Sequence, residues 1–584
     1  MQATLLVLVT LLLAACGRAT PEVTPPHPTR FPPAAVAVPD QDTDALIRGL
    51  SPRDKIAQLV MPWIPGTYAA YDDEAFARMA AWVEELHVGG LIVSVGSPLD
   101  IAAKLNRLQR RSTLPLLIGA DLEGGTSIRF TGGTPLPPNM GVGATGSDSA
   151  AYHTGRITAL EGRAVGIHLA FAPVADINNN PDNPIINTRS FGEDPATVAR
   201  LVAAEVRGLQ DHGMLATAKH FPGHGDTGTD SHLALPVITS DWRRLDSVEL
   251  VPFRAAIGAG VELIMSAHIA LPAIDPGELR PGTVAPNVLT GILRDSLGFG
   301  GMVVTDALNM AGVANKYGAG AAVRAFLAGA DLLLQPADPA AAIDAMAAAL
   351  ERGEYTVERL DRSLRRVLEA KRALGLFRQR TVPLDSIPAL VGSAAFQETA
   401  RDIAARSIVM VKDVGGTVHG LRRAPRGIAL VSYGEDDNRG IGGVLAGELR
   451  AQGFSVAAFR LWPGSGPASY DSAATLLARH PTALFAVADR PVAGRGTIGL
   501  PRPLLALLQV TGRGRPTILL SLGNPYLISR VPEVGSYLIG WRTNLATELA
   551  AARAIAGAAS ITGRLPISIP PAYPRGWGVT RHVR

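Results

Sequence analysis

Leu215-Ala216-Thr217-Ala218-Lys219-His220-Phe221-Pro222-Gly223-His224-Gly225-Asp226-Thr227-Gly228-Thr229-Asp230-Ser231-His232 changes character part-way along. Its first four residues form a short apolar run of the kind that makes a buried strand. From Lys219 onward it packs three histidines, two aspartates and a lysine among glycines, with no helical or alternating apolar period. This predicts a strand whose C-terminal end opens into a mobile loop equipped for chemistry. Gly223, Gly225 and Gly228 are expected to give that loop its motion.

The same rhythm extends to both sides. From Asp44 to Leu376, short apolar runs alternate with amphipathic segments rich in Ala, Leu and Arg, the pattern of strands and helices in a parallel sheet. The candidate strands are Leu59 to Trp63, Gly90 to Val93, Leu116 to Ala120, Leu169 to Val174, Leu215 to Ala218, Leu263 to Ser266, Met302 to Thr305 and Asp331 to Leu334. Eight such runs over residues 44–376 fit a (β/α)8 barrel of the TIM type. Asp121, Asp176, Lys219 with His220, His268 and Asp306 each follow a candidate strand directly. A barrel brings all those ends to one face, whereas an open doubly wound sheet gathers only some of them.

Residues 377–394 contain prolines and little periodicity and read as a linker. Beyond it, a helix is expected from Ala395 to Val409, then apolar runs at Ile428 to Val431, Val456 to Phe459, Ala483 to Val487, Thr517 to Leu522 and Tyr537 to Ile539. Residues 395–584 therefore read as a smaller α/β sandwich domain. Its Gly434 to Gly443 stretch lacks the spacing of a nucleotide-binding loop.

A chain of 584 residues with 47% hydrophobic and 18% charged residues is globular and needs more than one core. Its net charge of +4 arises from 55 basic and 51 acidic residues with no basic block, so nucleic acid is not an expected partner. The single cysteine, Cys16, excludes an internal disulfide. It closes the apolar run Leu5 to Ala15 and precedes a proline-rich segment. Residues 1–15 followed by Cys16 resemble a bacterial lipoprotein signal, although no Lys or Arg precedes the run. The resemblance implies cleavage before Cys16, its lipidation, residues 16–43 as an extended tether, and an extracytoplasmic, membrane-anchored protein.

His220, His224, Asp226, Asp230 and His232 look at first like metal ligands, but four of the five lie in a glycine-rich loop without H-E-x-x-H spacing, so no metal is expected. The other reading is an acid/base pair. In Asp230-Ser231-His232 the carboxylate can reach the imidazole two residues on and fix its tautomer. Asp306, after the apolar run Gly301 to Thr305, is the carboxylate best placed as a nucleophile, and together these describe retaining glycoside hydrolysis, which needs no cofactor. Asp176 is open between a turn and a substrate-shaping role, His268 reads as a rim histidine, His224 and Asp226 as hydrogen-bonding groups inside the loop, and Glu123 as a turn residue.

Lys219 to His232, Asp121-Leu122-Glu123-Gly124-Gly125, Phe171 to Asp176, Arg189-Ser190-Phe191-Gly192, Met265 to His268 and Thr305 to Met310 together resemble glycoside hydrolase family 3, in its β-N-acetylglucosaminidase branch. Arg406 to Val409 and Leu522 to Tyr526 resemble that family's C-terminal domain. The resemblance implies Asp306 as the nucleophile, His232 with Asp230 as the acid/base dyad, and Asp121, Arg189, Lys219 and His220 as groups that bind the nonreducing sugar. It implies a GlcNAc-containing glycan, such as a peptidoglycan fragment, as substrate. Thr126 stands where the branch has an arginine, which bears on substrate preference. The competing readings are a family 3 β-glucosidase or broad β-glycosidase, and a non-catalytic glycan-binding lipoprotein.

Overall fold

A computed structural model describes residues 42–70, 73–423, 426–490 and 498–583. Cys16, the signal segment and the tether up to residue 41 lie outside the described residues.

The strands at the centre of the first domain are β1 (Val60–Met61), β2 (Trp63–Ile64), β3 (Gly90–Val93), β4 (Leu117–Ala120), β5 (Leu169–Ala170), β6 (Leu215–Phe221), β7 (Leu263–Ser266), β8 (Met302–Val304) and β9 (Leu333–Leu334). Strands β2 to β8 pair in sequence order, all parallel. A parallel bridge from Val304 to Leu332 carries the sheet on to β9, which pairs with β1, so the sheet closes on itself. The run from Leu59 to Trp63, expected as one strand, is two. Pro62 has no N–H to give and breaks the run, leaving β1 paired with β9 and β2 paired with β3. The strands are buried along nearly their whole length, which is why they read as continuous apolar runs.

The outer helices begin where the sequence offers caps. Pro98–Arg111 and Pro195–Gln210 each start on a proline, with Ser97 Oγ accepting from Asp100 N (3.1 Å) and Asp194 Oδ2 from Thr197 N (3.0 Å). Residues 377–394 are strapped to the barrel. Asn106 brackets Val382 with two 2.8 Å hydrogen bonds, Ile387 is buried, and Gly392 N donates to Glu161 at 2.7 Å.

The second domain is built on β10 (Val409–Asp413), β11 (Gly427–Tyr433), β12 (Ser455–Leu461), β13 (Thr482–Val487), β14 (Thr517–Ser521) and β15 (Ser536–Ile539), in the order β10-β15-β14-β13-β11-β12. All pairs are parallel except β10 with β15. Side chains alternate between two cores. Leu484 and Ala486 face the helices Ala394–Ser407 and Leu545–Ala556, while Ala483, Phe485 and Val487 face Pro467–Ala478 and Arg502–Gly514. Strand β10 departs from expectation: the helix forecast to run to Val409 stops at Ser407, and Ile408-Val409-Met410-Val411, three of them β-branched, turns into the sheet edge.

Candidate active site

Five strand ends converge on one mouth of the barrel, and the residues there form two linked clusters. The first hangs from β4 and β6. Strand β6 runs through Phe221 instead of ending at Ala218, so Lys219 and His220 belong to the strand. Lys219 Nζ lies 2.9 Å from Asp121 Oδ1 and 2.6 Å from Glu123 Oε1, almost sealed from solvent. Arg189 closes on Glu123 with both arms, Nε to Oε2 at 2.7 Å and Nη2 to Oε1 at 2.8 Å. Arg129 approaches Asp121 Oδ2 at 3.2 Å. Burial works against ionisation of Asp121 and Glu123, but Lys219 and Arg129 around the first and Arg189 and Lys219 around the second outweigh it, and both stay below the usual carboxylate range. Burial likewise disfavours the Lys219 charge, yet Asp121 and Glu123 raise its proton affinity above that of a free lysine.

Glu123 is therefore the hub of this cluster rather than a residue that shapes a turn. Nothing in Asp121-Leu122-Glu123-Gly124-Gly125 marks it, because both of its cations come from distant parts of the chain. Thr126 is likewise redirected: its hydroxyl donates to Glu161 beneath the loop, and Thr126 is fully buried. That departure from the family pattern thus faces away from the barrel mouth.

Asp176, left open by the sequence, is fully buried and organises the next strand end. Its carboxylate accepts from His220 N (3.1 Å), His220 Nδ1 (2.6 Å) and His224 N (2.7 Å). With Nδ1 donating to Asp176, His220 presents Nε2 to the Arg189 Nη2 donor at 3.3 Å.

The second cluster is the dyad and Asp306. Asp230 is buried. It accepts from His232 N at 2.9 Å and from His232 Nδ1 at 2.8 Å, which leaves His232 Nε2 as the ring nitrogen not engaged by Asp230, with the side chain 36% exposed. The loop that carries the pair is fastened more firmly than its composition predicts. Asn183 Nδ2 donates to His224 O (3.0 Å) and Gly225 O (2.9 Å), and His224 Nε2 lies 3.0 Å from Ser231 Oγ. Burial pushes the His224 pKa down to about 4, so this ring serves as a neutral hydrogen-bonding strut. Two of the three glycines are there for close approach: a Cβ on Gly225 would lie 1.6 Å from Ile177 O, and one on Gly223 (φ 133°) would lie 2.8 Å from Glu249. Only Gly228 has open space around it.

The loop seats against the helix that begins five residues after Asp306. A Cβ on Gly312, in the helix Ala311–Tyr317, would lie 3.3 Å from Ser231 O and 3.7 Å from His268 Cβ. Asp306 Oδ1 accepts from Ala307 N at 2.8 Å. Burial alone would raise its pKa, but His268, His220, Ala307 N–H and Lys219 together bring it down to about 2. His268 is itself pushed below its usual range by burial, and its Nε2 donates to Ala307 O at 2.9 Å.

The ring nitrogens of His220, His224 and His232 thus point to separate partners, and the five residues that resembled a ligand list do not converge. Asp121, Arg189, Lys219 and His220 come together in one group, and Asp230 and His232 in another beside the helix that follows Asp306.

The Glycosyl hydrolase family 3 N terminal domain matches residues 51–370. The chain belongs to glycosyl hydrolase family 3. A relative from Cellulomonas fimi, a "Beta-N-acetylglucosaminidase/beta-glucosidase", is 36% identical over 504 residues, 82% of this chain and 88% of that protein. Among solved structures, a family 3 β-N-acetylglucosaminidase from Paenibacillus sp. FPU-7 superposes with a TM-score of 0.81 at 34% identity, covering 89% of this chain and 99% of that one. A β-glucoside phosphorylase superposes with a TM-score of 0.80 at 28% identity, covering 90% and 96%. The family 3 architecture of a TIM-type barrel followed by an α/β sandwich is the fold observed, and the protein is a glycoside hydrolase.

Proposed function

We propose that this family 3 enzyme is a retaining exo-β-N-acetylglucosaminidase that removes nonreducing terminal GlcNAc, with peptidoglycan fragments as the natural source. The observation that carries the reading is the Asp230–His232 pair on a loop packed against the helix that follows Asp306, with His268 close enough to act on both His232 and an ionised Asp306. The Cellulomonas and Paenibacillus relatives support the choice of sugar.

In the first step Asp306 attacks the anomeric carbon while His232, protonated on both ring nitrogens, gives its Nε2 proton to the departing oxygen. Asp230 stabilises that imidazolium through Nδ1. The glycosidic C–O bond breaks and a glycosyl–Asp306 ester forms. In the second step water gives its proton to His232 and displaces Asp306, so two inversions leave the configuration retained. The Asp121, Glu123, Lys219, Arg189 and His220 cluster supplies charged donors and acceptors for the sugar hydroxyls.

A slow fluorinated glycoside tests this directly: the label is expected on Asp306, and label elsewhere or an inverted product would refute it. Matched aryl glycosides of GlcNAc and glucose decide between the hexosaminidase and the β-glucosidase, and binding without turnover would point to a glycan-binding lipoprotein. We also propose that Cys16 carries a lipid anchor; labelled palmitate incorporated equally by wild type and Cys16→Ala would rule that out. Among the described residues no helix is long and apolar enough to cross a membrane.

A further inference from the structure

The second domain places one arginine against the sugar-gripping cluster. Trp541 takes a left-handed backbone (φ 73°), a conformation that a bulky residue adopts only under constraint. It is held there from several sides. Its indole Nε1 donates to Ser407 O at 2.7 Å, and its ring lies 3.2 Å from where a Gly141 Cβ would stand. Asn544 Nδ2 donates to Leu136 O of the barrel at 3.1 Å. The residue delivered by this fixed turn is Arg542, whose Nη1 lies 3.3 Å from where a Cβ on Gly124 would be. Gly124 (φ 66°) directly follows Glu123.

Arg542 makes no side-chain hydrogen bond among the described residues. Its Nη1 is sealed from solvent without a partner, while the side chain as a whole is partly open. The neighbouring carboxylates are already taken: Glu123 by Arg189 and Lys219, Asp121 by Lys219 and Arg129. Arg490, the other second-domain arginine that acts on it, has its own partner in Asp437 at 3.0 Å. Burial lowers the Arg542 pKa to about 10. Glu123 opposes that fall, and Arg490 and Arg129 deepen it, so this corner of the rim holds positive charge in excess. A guanidinium held by a constrained turn and left without an acceptor is built for one that arrives with a ligand.

We propose that Arg542 completes an oxyanion subsite at the glycone end of the pocket, recognising a carboxylate or phosphate ester on the nonreducing sugar. The glycone end is assigned because Arg542 adjoins Gly124 and lies close enough to Glu123 for that carboxylate to act on it. The proposal rests on the reading of the Asp121–Glu123–Lys219–Arg189 cluster as the sugar grip.

The test uses full-length enzyme and three chromogenic β-glycosides that differ only at C6: unmodified, oxidised to the carboxylate, and phosphorylated. They are built on whichever of GlcNAc and glucose the wild type cleaves, so failure of the GlcNAc reading leaves this comparison intact. The charged-to-neutral ratio of kcat/KM is expected to fall roughly tenfold in Arg542→Gln, equivalent to about 1.4 kcal/mol, and to fall less in Arg542→Lys, which keeps the charge without the fork. A fall for the carboxylate alone or for the phosphate alone identifies which oxyanion the subsite takes. Ratios that match wild type for both charged substrates overturn the proposal. Because the readout is a ratio within each enzyme, partial loss of folded protein does not mimic it, and Arg542→Lys supplies the comparison where Arg542→Gln does not fold.

Discussion

Glu123→Gln should expose how much of the sugar-binding cluster is held by one carboxylate. The wild-type group accepts from Arg189 at 2.7 and 2.8 Å and lies 2.6 Å from Lys219, with only 12% of its side chain exposed. An amide of the same shape keeps one acceptor oxygen but turns N–H donors toward a guanidinium. Lys219 retains Asp121 at 2.9 Å, whereas Arg189 keeps only Ile185 O at 2.9 Å and the His220 ring. Removing one partner of a buried ion pair costs about 3–5 kcal/mol, so the barrel should lose stability on that scale at neutral pH. The sign of the pH dependence follows from the depressed Glu123 pKa. Its stabilising effect is complete above the unfolded carboxyl value, 4.5, and drains away as pH falls toward the depressed folded value. The gap between wild type and variant in urea unfolding should therefore be full at neutral pH and close by about 1.4 kcal/mol for each pH unit lost below the unfolded value. Since the chain has two domains, the transition to follow is the one in which the barrel unfolds. A gap below about 1 kcal/mol at neutral pH, or one indifferent to acid, would refute the assignment of Glu123 as hub.

His232→Ala should lower kcat by roughly 10²–10⁴-fold on substrates with a sugar leaving group, and far less on nitrophenyl glycosides, whose aglycone departs without a proton. Equal losses on both would remove His232 as the acid, and Asp230→Asn should follow the same leaving-group pattern because it removes the negative charge that stabilises a protonated His232 through Nδ1. Gly225→Ala, whose Cβ would sit 1.6 Å from Ile177 O, should reduce both kcat and melting temperature, whereas Gly228→Ala meets nothing within 4 Å and should behave as wild type. The reverse order would mean that motion, not packing, is what these glycines provide.

The barrel was legible because buried parallel strands are written as apolar runs, and because five of the eight runs are followed by polar residues that a barrel gathers at one mouth. Asp230 and His232 were legible because their contact is local, two residues apart. Glu123 was not, since its significance lies in Arg189 and Lys219, sixty-six and ninety-six positions away in sequence. Asp176 shows the same limit: a buried carboxylate accepting from two backbone N–H groups and an imidazole looks, in sequence, like any turn aspartate. Gly223 and Gly225 stand where a Cβ would meet Glu249 and Ile177, a requirement that sequence alone does not separate from a hinge because both call for glycine. Strand β10 was hidden by a helix that ends without a glycine or proline to mark its stop.

The segment after β5 is gripped from outside the barrel. Tyr526 Oη accepts from Asn178 at 2.8 Å, Ser568 N and Oγ donate to Glu193 at 2.8 and 2.7 Å, and Pro566 crowds Gly192. That segment also carries Asp176, Ile177 and Asn183, against which the dyad loop is fastened. The two domains are consequently poor interchangeable parts: a chimera that joins this barrel to a relative's second domain keeps the Asp230–His232 loop seated only if the graft brings equivalents of Tyr526, Pro566 and Ser568 with it.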